Sequence, residues 1–114
     1  MQKEIKHTWI FNQSPQEVWE YLTKPELLEQ WLMKTNFQPI VGHKFYFIGE
    51  CNDDAKAIAQ CEVLEVNPYT HLSYSWQANS FKDNTSFNSK VVWTIIPKEN
   101  GTKLQLVHNG FTVL

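Results

Sequence analysis

The stretch VVWTIIPKENGTKLQLVHNGF, from Val91 to Phe111, limits the folds open to this chain more than any other. Two apolar, alternating runs flank Pro97-Lys98-Glu99-Asn100-Gly101, in which Asn100-Gly101 is the pair that supplies the positive backbone torsions of a strand reversal. A β-hairpin is predicted. In its second arm Leu104, Leu106 and His108 share one face, with Lys103, Gln105 and Val107 on the other, so the first set points inward. The first arm is apolar on both faces, Val91, Trp93 and Ile95 alternating with Val92, Thr94 and Ile96, which is the pattern of a strand covered on both sides. The remainder of the chain has to supply the covering layer, and whatever space it leaves unfilled is the candidate site.

Ile5, His7, Trp9 and Phe11 alternate with Lys6, Thr8 and Ile10 and predict an opening strand with a mostly apolar face. Ser14-Pro15-Gln16-Glu17 then combines an N-cap hydroxyl, Pro at the first helical position and Glu at the third. Val18, Trp19 and Leu22 form one helical stripe, with Tyr21 at its edge. Thr23-Lys24-Pro25-Glu26 repeats the start signal, so the first helix stops near Leu22 and a second begins at Pro25, burying Leu27, Leu28, Trp31 and Leu32. Asn36 to Gly42 returns the chain to the sheet. Strands are predicted at Lys44 to Ile48, Ala57 to Val66 and His71 to Trp76, the last placing Leu72, Tyr74 and Trp76 on one face, and Asn67-Pro68-Tyr69-Thr70 is a turn. Gly49 to Lys56 and Gln77 to Ser89 read as loops. The class is α+β, an antiparallel sheet of about six strands that curls as it twists, with two short helices after the first strand.

With 114 residues the chain forms one domain, 1–114. Its ten basic residues are all Lys, and the formal charge is −2. Nucleic-acid sites favour the planar fork of Arg on a basic surface, so nucleic acid is not an expected partner. No apolar run reaches the roughly 20 residues that span a bilayer, and no leader precedes the first strand, so a cytoplasmic protein with reduced Cys51 and Cys61 is expected. The glycosylation patterns at Asn12, Asn84 and Asn100 then carry no weight. Neither cysteine stands in metal-ligand spacing with the other or with His7, His43 or His71, and Glu50, Asp53 and Asp54 lack the spacing of a calcium loop. No metal or other cofactor is expected.

At this point the residues resemble a family. Ser-Pro-Gln-Glu-Val-Trp from Ser14, Lys-Pro-Glu-Leu-Leu-Glu-Gln-Trp from Lys24, Val41-Gly42, Cys61 to Pro68, Leu72 to Trp76, and Asn100-Gly101-Thr102 with Leu104, Leu106, His108, Gly110 and Phe111 follow in order the pattern of the START-like, or polyketide-cyclase-like (SRPBCC), superfamily. The nearest branch is the one named for similarity to the C-terminal domain of the activator of the ninety-kilodalton heat-shock protein's ATPase. The resemblance implies a helix-grip fold, in which a curved sheet wraps a long C-terminal helix and encloses an apolar cavity. Relatives continue past the Gly-Phe corresponding to Gly110-Phe111 into that helix, whereas Thr112-Val113-Leu114 is too short to form it. Either the sequence as given is a fragment, or the groove is covered by something other than that helix. Covering several hundred Å² of apolar surface is worth on the order of 10 kcal/mol at about 25 cal/mol per Å², so a chain without that helix is expected to pair with another copy, swap elements, or bind a ligand or partner across the groove.

The aromatic set Trp9, Trp31, Tyr74, Trp76 and Trp93 is the strongest pocket signal. Core filling accounts for some members, while the polar tips of Tyr74 and the indoles suit a semi-polar cavity. Trp76, Trp93 and His108 are expected to line the groove, then Phe47, Tyr74 and Trp31. His108 places an imidazole on an apolar face, where it serves either as a structural group bonded to a neighbouring hydroxyl or carbonyl, or as a hydrogen-bonding or basic group of a site. Glu62 and Glu65, three apart, fall on opposite faces by straight alternation unless a bulge intervenes. No catalytic residue is assigned. The leading reading is non-catalytic binding of a small apolar or aromatic molecule; the alternatives are an interaction module that stimulates a chaperone ATPase, and an enzyme of cyclase or hydrolase type.

Overall fold

The computed structural model describes residues 4–31, 34–51, 54–79 and 86–113. Chain order is β1 (Ile5–Phe11), α1 (Pro15–Thr23), α2 (Pro25–Trp31), β2 (Lys34–Thr35), β3 (Lys44–Cys51), β4 (Asp54–Asn67), β5 (His71–Asn79), β6 (Ser86–Lys98) and β7 (Gly101–Val113). The strands form one antiparallel, curled sheet in the order β1-β7-β6-β5-β4-β3-β2. The α+β class holds, with seven strands rather than six. The additional strand, β2, pairs Lys34 and Thr35 with Ile48 and Phe47, and two residues are too few to carry any periodicity. Among the described residues no C-terminal helix is present; the chain is strand to Val113.

The central hairpin forms, with a shifted reversal. Lys98 pairs with Gly101, so the two-residue loop is Glu99-Asn100, and Gly101 opens β7 with φ +153°. Asn100 does not take a positive φ; Tyr69, in the turn between β4 and β5, does. The segments read as loops are shorter than expected. β3 runs on to Cys51 and β4 starts at Asp54, while β5 reaches Asn79 and β6 begins at Ser86. Asp53 and residues 80–85 lie outside the described residues, as do the side chains of Glu50, Cys51 and Asp54. Polar side chains there do not prevent pairing, because the ladder is built from backbone groups.

Two local signals carry the helical layer. Ser14 Oγ accepts from the Glu17 amide at 3.2 Å and the Glu17 carboxylate reaches back to the Ser14 amide, closing the capping box. Ser14→Ala should therefore lower stability by about 1 kcal/mol in denaturant titrations, with the unfolding slope unchanged. The second start signal ends α1 at Thr23, whose hydroxyl donates to the Trp19 carbonyl at 2.8 Å. In α2 only Leu28 is buried; Trp31 is 40% exposed, and Leu32 lies outside the described residues. A helix of seven residues presents one turn to the core, and its far end stands over open space.

Both helices join a single core on the concave face. The expected full cover on both sides of β6 is absent among the described residues: Val92, Thr94 and Ile96 on the convex side are only half-buried. The core does not fill the concave face evenly. Phe37, from the segment after β2, is 1% exposed, packs edge-on against Phe45 at 4.9 Å and lies tilted against Tyr74 at 6.2 Å. With Phe47, Cys61 and Val63 it seals the half over β3 and β4. The half over β5, β6, β7 and β1 stays hollow.

Candidate functional site

That hollow is a groove of about 780 Å³. Its floor alternates as the registers dictate. Trp76 and Tyr74 rise from β5, Val91 and Trp93 from β6, and Leu104, Leu106 and His108 from β7; β1 adds His7, Trp9 and Phe11. Leu22 and Tyr21 of α1 and Trp31 of α2 form the opposite wall. Trp31 is held there by its indole N–H, which donates to the Tyr21 carbonyl at 2.9 Å.

Trp93 is the centre of the floor. It is 4% exposed, lies 6.0 Å from the Trp9 ring and meets Trp31 edge-on at 5.9 Å. Its N–H donates to the Tyr74 hydroxyl at 2.9 Å. Burial pushes the Tyr74 phenol well above its usual range, so it stays protonated.

His108 stands at one end, opposite Val91 on one side and Ile5 on the other. Its Nε2 lies 2.6 Å from Ser89 Oγ, which also lies 3.3 Å from the Trp76 carbonyl oxygen. Burial holds the imidazole below its usual pKa, so the ring is neutral at pH 7. A bulge makes this end. Asn88 pairs with Thr112 and Lys90 with Asn109, so Gly110 and Phe111 together oppose Ser89. Gly110 takes φ +73°, and the Phe111 ring comes to lie 4.7 Å from that of His108, with the Trp76 ring at 5.5 Å.

Of the residues singled out in the sequence, Trp76, Trp93, His108, Tyr74 and Trp31 lie on the groove. Phe47 does not: it is 1% exposed, sealed behind Trp76 and Tyr74 at 5.2 and 6.0 Å. Ser89 was hidden from sequence reasoning by its place in a polar run, although it shares the parity of Val91 and Trp93. His7, Phe11 and Tyr21 were also not singled out for the groove, though His7 and Phe11 alternate with Trp9. Glu62 and Glu65 both face away from it. The bulge at Leu64 sets them opposite Ser75 and Ser73, on one face, and Glu65 pairs with His71 at 2.6 Å. Cys61 is a buried free thiol whose pKa is pushed up to about 12 by burial, which makes it unreactive. Among the described residues no group of three or more His, Cys, Asp or Glu is placed to hold a metal ion, and no helix is long and apolar enough to cross a membrane.

Residues 12–114 match the family described as activator of Hsp90 ATPase homolog 1-like protein. No protein of curated function matches the chain. Among solved structures, the Mesorhizobium loti protein MLL2253 is 33% identical with a TM-score of 0.83, over 96% of this chain and 78% of that one. The Bacillus halodurans protein BH1534 is 25% identical with a TM-score of 0.72, over 96% and 70%. CalU16 of Micromonospora echinospora shares the fold at 21% identity and a TM-score of 0.75, over 95% of this chain and 60% of its own.

Proposed function

This chain belongs to the activator of Hsp90 ATPase homolog 1-like family, within the START-like superfamily, and from that premise we propose that it binds a small apolar or aromatic molecule in the groove without transforming it. The observation that carries the reading is the unevenness of the core. The chain fills one half of its concave face with its own phenylalanines and leaves the other half, walled by indoles and leucines, as a space of about 780 Å³. Small-molecule sites typically measure about 300–1,000 Å³, with mostly apolar walls and a few placed polar groups. The indoles of Trp9, Trp31 and Trp93 already have geometry set by hydrogen bonds or ring contacts, so little ordering is left to oppose binding.

Thermal unfolding with a neutral aromatic probe, 2-methoxynaphthalene, tests this. The midpoint should climb with the logarithm of probe concentration, as for any ligand that binds only the folded state. Leu106→Trp, which puts a large ring into the groove, should unfold cooperatively and show no such climb. A probe that does nothing to the natural chain, or that stabilises the filled variant equally, refutes a groove site.

A further inference from the structure

We propose that the groove recognises its ligand through one directed hydrogen bond accepted by His108 Nδ1, so that the molecule it takes is an aromatic or apolar body bearing a hydrogen-bond donor, a hydroxyl or an N–H. This rests on the groove being the ligand site and adds to it the ligand's chemistry.

The argument starts from proton counting at Ser89. A hydroxyl has one proton to give, and Ser89 Oγ has two neighbours: the Trp76 carbonyl oxygen at 3.3 Å and His108 Nε2 at 2.6 Å. The carbonyl only accepts. For both contacts to be hydrogen bonds, the Ser89 proton goes to Trp76 and the proton between Ser89 and His108 comes from Nε2. The reverse tautomer leaves the Trp76 contact unmade. A neutral imidazole carries its proton on one nitrogen, so Nδ1 holds a bare lone pair. Burial keeps the ring neutral.

That lone pair is open. Among the described residues Nδ1 has no hydrogen-bond partner, yet the buried side-chain polar atoms without a partner are Thr35 Oγ1 and Ser73 Oγ only. Nδ1 is therefore not sealed away from solvent, and the ring that carries it lines the groove. Trp76 edge-on and Phe111 beside it fix the ring's orientation. The groove's indole nitrogens at Trp93 and Trp31 are already committed, to the Tyr74 hydroxyl and the Tyr21 carbonyl. An incoming hydroxyl finds at His108 an acceptor held in place, whereas a ligand offering only acceptors meets a lone pair there.

The test compares 2-naphthol with 2-methoxynaphthalene, which share the ring system and differ in the donor, by calorimetric titration of the full chain. The natural protein should bind 2-naphthol roughly tenfold more tightly, the scale of one hydrogen bond. His108→Phe should erase the preference, bringing the two affinities to within about twofold of each other whatever the level of either. A second measurement needs neither ligand nor variant: imidazole nitrogen NMR of the natural protein should show His108 protonated at Nε2 and bare at Nδ1. Protonation at Nδ1, or equal affinity for the two probes, overturns the inference and leaves the groove reading standing. Failure of both probes to bind overturns the groove reading and this inference with it.

Discussion

Gly101→Ala should cost on the order of 3 kcal/mol, a large share of the 5–15 kcal/mol that holds a domain of this kind together. Two effects add. Gly101 has φ +153°, a torsion that side chains resist, and a Cβ placed there would sit 2.0 Å from the Phe11 carbonyl oxygen and 3.0 Å from Asn12 Cα. Those atoms are backbone, so no side chain can swing aside. The contact is close because β1 must run along β7 up to the Phe11–Thr102 pair, and there the Thr102 hydroxyl donates to the Gln13 carbonyl at 2.7 Å. In urea the midpoint should fall by more than about 1 M with an unchanged slope. Gly42→Ala is the control: φ is +88° but nothing lies within 4 Å of the added carbon, so only the torsional cost of about 1 kcal/mol is expected. Equal losses at the two positions would show that the β1 contact does not matter. Faster amide exchange confined to β1 would show the strand yielding alone.

The same pair of strands shows what a sequence reveals and what it withholds. Alternation assigned Leu104, Leu106 and His108 to the face that lines the groove, and the capping box at Ser14 fixed where β1 gives way to α1. Both are local rules, decided within a few residues. What alternation does not tell is where along a curved sheet an inward side chain comes to rest. Phe47 and Trp76 both point to the concave side, but Phe47 is sealed against Phe45 and Tyr74, and Trp76 is at the open end. Phe37, which arrives from an irregular segment without periodicity, adds a ring against Phe45 and Tyr74 at that sealed end. Bulges are the other limit. The pair Gly110-Phe111 opposite Ser89 reverses the alternation after His108, and the extra residue at Leu64 turns Glu65 to the same side as Glu62. Neither is legible in residue types alone, and together they decide which polar groups meet at the groove's end.

Trp93→Ala should be the other severe substitution, at about 3–5 kcal/mol, the usual range for emptying a buried large ring. Trp93 belongs to both the core and the groove lining: 4% exposed on its strand, it also forms the floor against which Trp9 and Trp31 lie. Its removal deprives the Tyr74 hydroxyl of its donor inside the core, a further desolvation cost that a purely apolar cavity would not incur. The groove would deepen in the same stroke, since the space vacated is continuous with it. An aromatic probe should then recover part of the lost stability by occupying the ring's place, so the gap between the natural and variant midpoints narrows as probe is added. Trp93→Phe separates the two contributions. It keeps most of the volume and loses the N–H, so it should cost about 1–2 kcal/mol and show no such narrowing. If Trp93→Ala costs no more than Trp93→Phe, the ring is not packed as its neighbours require, and the floor of the groove is not the rigid surface that the proposed binding needs.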